Sequence, residues 1–247
     1  MKKSILTLSL LLLAFTAGAW NKLSLPAIVT LASKHLTSEA ARATKSALGN
    51  DLASSDLTAQ KQYLFHLNAE YTPTGRDKND VLVVIEESVE RLNKDNKDKE
   101  AILCIARAIA DMHSIANVRI EGNEMSYKEF TVRRWNNRNG KLARYKDCGW
   151  RFLWNSYYAY KHAILTAELY AEDIDLYHIE RLNDFQNGDV AAWAKDMAAE
   201  SRVIYSRELT DNYILTQEDV NYWTFTHDRL LAKASYRLAA ILNQIFK

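Results

Sequence analysis

The stretch ARAIADMHSIAN, residues 106–117, decides how the rest of the chain is read. Ala106, Ile109, Ala110 and Met112 make it apolar. The run back to Ala101 extends that character over about four turns, which predicts a buried helix over 101–116. Arg107 and Asp111 stand four apart, so a helix places them on one face, while His113, two residues past Asp111, points away from it. The arrangement is that of a metal-binding helix short of imidazoles. Asp111 is a donor, whereas Arg107 cannot ligate a cation and the Asn117 amide is a poor zinc donor. Arg151 and Asn155, in WRFLWN (150–155), repeat the four-residue spacing on a second helical segment, and two such pairs aimed inward would frame a metal cluster.

Outward from that helix the apolar spacing is helical wherever it is clear, and 7 Gly and 2 Pro are all that interrupt 247 residues. Thr37 caps a helix to about Leu48, with Gly49 as its stop. Asn79 caps a second, with Val81, Val84, Ile85, Val89 and Leu92 on one face, before the solvated run NKDNKDKE. Gly149 to about Phe185 reads as two helices broken near 173–175, and Val190–Glu208 as another. Thr216 with Asp219 opens the last helix in capping-box form, and Val220, Trp223, His227, Leu231, Ala234, Leu238, Ile241 and Ile245 make its stripe. Residues 117–147 hold turn signals without a sustained period and predict a long irregular or short-hairpin insertion bordering a site. The expected class is all-α, one helical domain over 20–247.

Residues 1–19, MKKSILTLSLLLLAFTAGA, have the build of a secretory signal peptide: two lysines, an apolar run, and a small-x-small ending at Ala17 and Ala19. The run is shorter than the about 20 apolar residues that a membrane span needs. The chain is therefore expected to be exported, to periplasm or medium, with Trp20 first and no transmembrane segment after cleavage. Without Lys2 and Lys3 it carries 30 basic and 31 acidic residues, a net charge of −1, and the overall balance gives no sign of bulk nucleic-acid or membrane capture. Its two cysteines leave two readings open, a Cys104–Cys148 disulfide or two free thiols. No strand-turn-helix elbow, Cys-His context or Gly-rich phosphate loop is present, so metal chemistry is the only catalytic class with a trail.

The ordered segments resemble the zinc-dependent single-strand nucleases of fungi, plants and bacteria (S-one/P-one type), whose fold is shared with bacterial zinc phospholipase C. Trp20 stands where that family begins its mature chain. LTSEAA (36–41) and LFHLN (64–68) follow, AIADMHSIAN (108–117) matches the central metal helix and EGN (121–123) the Gly-Gly-Asn turn. WRFLWN matches the Asn-Leu-His helix, and WAKDMAAES (193–201) and YRLAAILN (236–243) complete the series. The resemblance spans essentially the whole mature chain, and it implies zinc-dependent phosphodiester hydrolysis of single-stranded nucleic acid by a monomer.

Residue by residue, the implied metal site is depleted. Trp20, His66 and Asp111 match ligands, and either Asp51 or Asp56 supplies the early Asp. Leu25, Arg107, Asn117, Arg151 and Asn155 stand at five ligand positions and are not zinc ligands, and His113 matches a His that is not a ligand. At most one zinc is expected, on His66, Asp111 and an early Asp, or none; Arg107 and Arg151 are expected to supply charge in place of the metal, in an internal Arg-Asp network. Three functions follow as alternatives: a non-catalytic member of the family, a one-zinc phosphodiesterase, and a secreted interaction or phosphate-binding protein.

Overall fold

The computed structural model describes residues 20, 23–136, 144–158, 162 and 164–247; the backbone alone is described at 134–136, 144–146 and 157. The leader expected over 1–19 lies outside the described residues. Among them, no helix is long and apolar enough to cross a membrane.

The chain is mostly helical, and its caps are written locally. Helix α1 spans Ser24–Lys34 and α2 Ser38–Leu48, where the Thr37 side chain accepts from the Ala40 N–H and Gly49, at φ 80°, ends the helix in the left-handed region that glycine enters freely. Helix α3, Val81–Lys94, is capped by Asp80 rather than by Asn79: the Asp80 carboxylate accepts from the Leu82 N–H. Helix α4, Lys99–Met112, begins at Asp98 and is buried from Ala101 to its end; a 3-10 turn over Ile115–Asn117 continues it.

Of the two readings for 117–147, an irregular segment or a short hairpin, the described residues include the hairpin, while 137–143 lie outside them. Strand β1 (Phe65–Leu67) pairs in parallel with β2 (Val118–Ile120), placing His66 opposite Arg119. A short helix α5 (Glu124–Tyr127) follows, and then β3 (Thr131–Asn136) and β4 (Arg144–Gly149) run antiparallel, with β5 (Tyr213–Ile214) beside β3. The mainly helical class expected from the sequence is present, and among the described residues two small sheets are built into it. The hairpin offers no alternating apolar face, because its positions are largely basic or polar, and so it leaves little trace in a hydrophobicity pattern.

Helix α6 (Trp150–Phe152) widens into a π turn at Leu153–Tyr157. Then come α7 (Ala167–His178), α8 (Leu182–Gln186), α9 (Val190–Tyr205) and α10 (Gln217–Ile245). Residues 173–175 lie inside α7, so the break expected there falls before and after that helix. Helix α10 packs on α1, α4, α7 and α8, α3 packs on α4, and one apolar core joins them. The predicted capping box is present: Thr216 and Asp219 cap each other, and Asp219 also accepts from Arg207 and, at 3.2 Å, from the Tyr213 hydroxyl. Asp219→Ala is expected to cost about 1–3 kcal/mol in urea unfolding, the sum of a lost cap and two stranded donors.

Candidate functional site

Segment 57–63 wraps over the side of α4 and closes on Arg107 and Asp111. The Arg107 Nε donates to Asp111 Oδ2 at 2.8 Å, and its NH1 donates to the carbonyls of Leu57 (2.9 Å) and Gln60 (3.3 Å). The Tyr63 N–H donates to the same Asp111 oxygen at 2.8 Å. Asn117 turns back along the helix end, its Nδ2 3.4 Å from the Asp111 carbonyl and its Oδ1 accepting from Gln62. Burial pushes the Asp111 acid up to about 6, opposed by Arg107 and the Tyr63 amide. Its second oxygen, Oδ1, has no partner among the described residues.

The other expected ligands do not converge on Asp111. His66 is buried, but its Nδ1 lies 2.8 Å from Asp80 Oδ2, the carboxylate that also caps α3. Asp51 is at the surface, 3.0 Å from Lys45, and Asp56 is an exposed cap for Thr58. Trp20 is buried, its Nε1 donating to the Ala110 carbonyl at 2.8 Å and its ring 5.4 Å from that of His227. Leu25 packs into the core on α1. No group of three or more His, Cys, Asp or Glu able to hold a metal ion occurs among the described residues. The side chains present thus do not fit a zinc centre in this arrangement, since Asp111 Oδ2 faces a guanidinium and His66 faces a different carboxylate.

Of the two arginines expected to join Asp111, only Arg107 does. The change from α to π winding at Leu153 breaks the four-residue alignment of Arg151 with Asn155. Asn155 stays buried, its Oδ1 accepting from Ser114 at 3.2 Å and its Nδ2 without a partner among the described residues. Arg151 turns outward to Glu129, its Nε 3.4 Å from Oε2 and its backbone N–H 2.9 Å from Oε1. A Cβ at Gly149 would lie 2.1 Å from Glu129 Oε1, so a larger residue there would displace the carboxylate that Arg151 holds. Of the two readings left open for the cysteines, the disulfide does not form: Cys104 lies on α4 beside the Tyr63 hydroxyl and Cys148 on β4, with no bond between them.

No protein-family model matches the chain, and no curated protein matches it.

A second buried network lies behind α4, and single-residue reasoning passed over it. Arg237 NH1 is 2.8 Å from His113 Nε2; since arginine only donates, Nε2 accepts, and Nδ1–H donates to the Ile109 carbonyl at 2.7 Å. Burial, then the Arg237 charge, push the His113 value well below the usual histidine range, so the ring stays neutral. Arg237 also donates to the Phe185 carbonyl (2.9 Å) and to Asp196 (2.6 Å), and Lys233 joins Asp196 to Glu200. Against its burial, Lys233 and Arg237 hold the Asp196 acid below the ordinary carboxylate range. A groove of about 400 Å³ between Val89, Trp193 and Ile245 has Asp189 as its one charged lining residue and meets the second network only through the Trp193 ring, 5.7 Å from Arg237.

Proposed function

We propose that the chain is an exported, monomeric binding protein on the frame of the single-strand nuclease family, with its metal chemistry given up. The Arg107–Asp111 pair carries this reading. Asp111 stands at the bridging-ligand position of the resemblance, and a buried guanidinium lies 2.8 Å from it where a cation would balance it. Contact between two further matched segments supports it: Arg237 of YRLAAILN reaches His113 of AIADMHSIAN. Single-stranded nucleic acid, a nucleotide or phosphate is the ligand class that the resemblance implies.

One observation favours the alternative, a phosphodiesterase with a single zinc. A histidine held through Nδ1 by a buried carboxylate, as His66 is by Asp80, is a common posture of metal-ligating imidazoles, and Asp111 Oδ1 is without a partner. Elemental analysis of the purified protein, together with hydrolysis of single-stranded DNA in added zinc, separates the two. The expected result is substoichiometric zinc and no turnover above background. One tightly held zinc per chain with turnover abolished by His66→Ala would establish the alternative instead.

A further inference from the structure

Three arginines are buried among the described residues: Arg107, Arg119 and Arg237. Arg107 faces Asp111 and Arg237 faces Asp196. Arg119, 7% exposed, has no carboxylate within 4.0 Å among the described residues, and the remaining residues of the chain include no Asp or Glu. Its NH1 donates to the carbonyls of Ala116 (3.0 Å) and Val118 (2.7 Å), while Nε and NH2 have no acceptor among the described residues. An uncompensated cation in that setting is costly, and an anion on its free edge is the direct way to relieve it.

The surroundings add charge of the same sign. A short chain of contacts joins Arg119 to the segment of Arg151. Trp150, next to Arg151, donates to the Tyr205 hydroxyl, which donates to the Ile115 carbonyl beside the Ala116 carbonyl that Arg119 holds. The Arg151 charge adds to burial in lowering the Arg119 value. The acidic group beside them is Glu129, bound to Arg151, so two cations face one carboxylate. His66 lies opposite Arg119 in the β1–β2 register, and its own carboxylate, Asp80, is engaged with it. The Tyr205 hydroxyl is committed to Trp150 and the Ile115 carbonyl. Tyr127, whose carbonyl accepts from Arg151 at 3.4 Å, is 45% exposed at the rim.

The β3–β4 ribbon is a separate observation pointing the same way. Residues 131–146 contain six Lys or Arg and no acidic residue, and β4 leads through Gly149 and Trp150 directly to Arg151. In the strand register Arg134 opposes Lys146, so two basic positions face each other across the pair. Asp147, at the ribbon's root, is paired with Arg133 at 3.2 Å.

We infer that Arg119 and Arg151 form a binding site for a phosphate group, the basic sequence of β3 and β4 favouring a phosphate that belongs to a phosphodiester strand. Arginine forks match phosphate oxygens in number and spacing, and additional basic residues strengthen the attraction for a chain of phosphates over that for a single ion. The site gives the proposed binding protein its ligand chemistry. It does not depend on the loss of zinc, so metal analysis and anion titration can fail separately.

The test is calorimetric titration of the purified protein in low salt with inorganic phosphate, with a mononucleotide, and with a short single-stranded oligodeoxynucleotide. Wild type is expected to bind phosphate; Arg119→Met and Arg151→Gln each weaken it at least about tenfold, and Glu129→Gln strengthens it severalfold. Arg151 is partly exposed, so Arg151→Gln keeps the test open if Arg119→Met does not fold. Arg42→Gln, on the exposed side of α2, should change nothing. Tighter, salt-dependent binding of the oligonucleotide assigns the phosphate to a strand, and equal affinities assign it to a free ion. No binding of any of the three by wild type, or binding indifferent to both arginine substitutions, would overturn the proposal.

Discussion

Arg107→Ala is expected to destabilise the protein by about 3–5 kcal/mol at pH 8, a fall in Tm on the order of 10 °C for a chain of this size, and by much less at pH 5. Asp111 is wholly enclosed, and its folded-state acid already sits at about 6, above the ordinary 3.8. For a group raised in this way, the folded state binds the proton more tightly than the unfolded state. The stability it contributes is therefore complete below about pH 4 and is lost as pH rises through about 6. Removing Arg107 takes away the main influence opposing burial, so the value climbs further. At pH 5 Asp111 then sits neutral in its pocket, whereas at pH 8 the fold must hold an unpaired carboxylate or take a proton from dilute solution. Urea unfolding at the two pH values measures the difference. The double variant Arg107→Met with Asp111→Leu should recover most of the loss, because a buried pair is replaceable by apolar volume where a half-pair is not. Equal stability of Arg107→Ala and wild type at pH 8 would remove the pair from any account of how this site is held.

Arg237→Ala should be comparably severe, about 3–5 kcal/mol, and without the same pH dependence. One guanidinium there serves the end of α4 through His113, the end of α8 through the Phe185 carbonyl, and α9 through Asp196, and it lies 5.7 Å from the Trp193 ring. Its removal leaves a neutral imidazole acceptor and a carbonyl buried without their donor, and it leaves Asp196 to Lys233 alone. Arg237→Lys is expected to restore less than half of the loss, since one ammonium centre cannot span three acceptors arranged for a planar fork. Hydrogen exchange should show the opening concentrated in α8, the short helix held at its end by this contact. A surface control, Arg181→Ala, should stay within about 0.5 kcal/mol.

The two networks differ in how legible they were. Arg107 and Asp111 are four apart on one helix, and local geometry alone pairs them. His113 and Arg237 are 124 residues apart, and nothing in either segment names the other. The expectation for Arg151 failed for a local reason with a non-local cause: the π turn at Leu153 rotates the second pair out of register, and no residue type announces it. Arg119 was passed over because a single arginine beside apolar neighbours has no motif. Only the absence of acidic residues between 131 and 146 hinted that charge is segregated on this chain, a signal that a near-neutral total hides.

By itself the sequence determined the long helices and several of their ends. Hydrogen bonds between residues four apart, caps such as Thr37 and Thr216, and a 3.6-residue apolar period are all local, so they can be read without the fold. It also determined that Asp111 had an arginine within reach. The tertiary structure decided what local order cannot: which residues of the hairpin pair, 131–136 with 144–149, that Asp80 and not Asp111 takes His66, and that Arg151 leaves the core for Glu129. Strand pairing and ion pairs between distant segments depend on which surfaces the helices bring together, and each buried charge takes whichever partner that packing delivers.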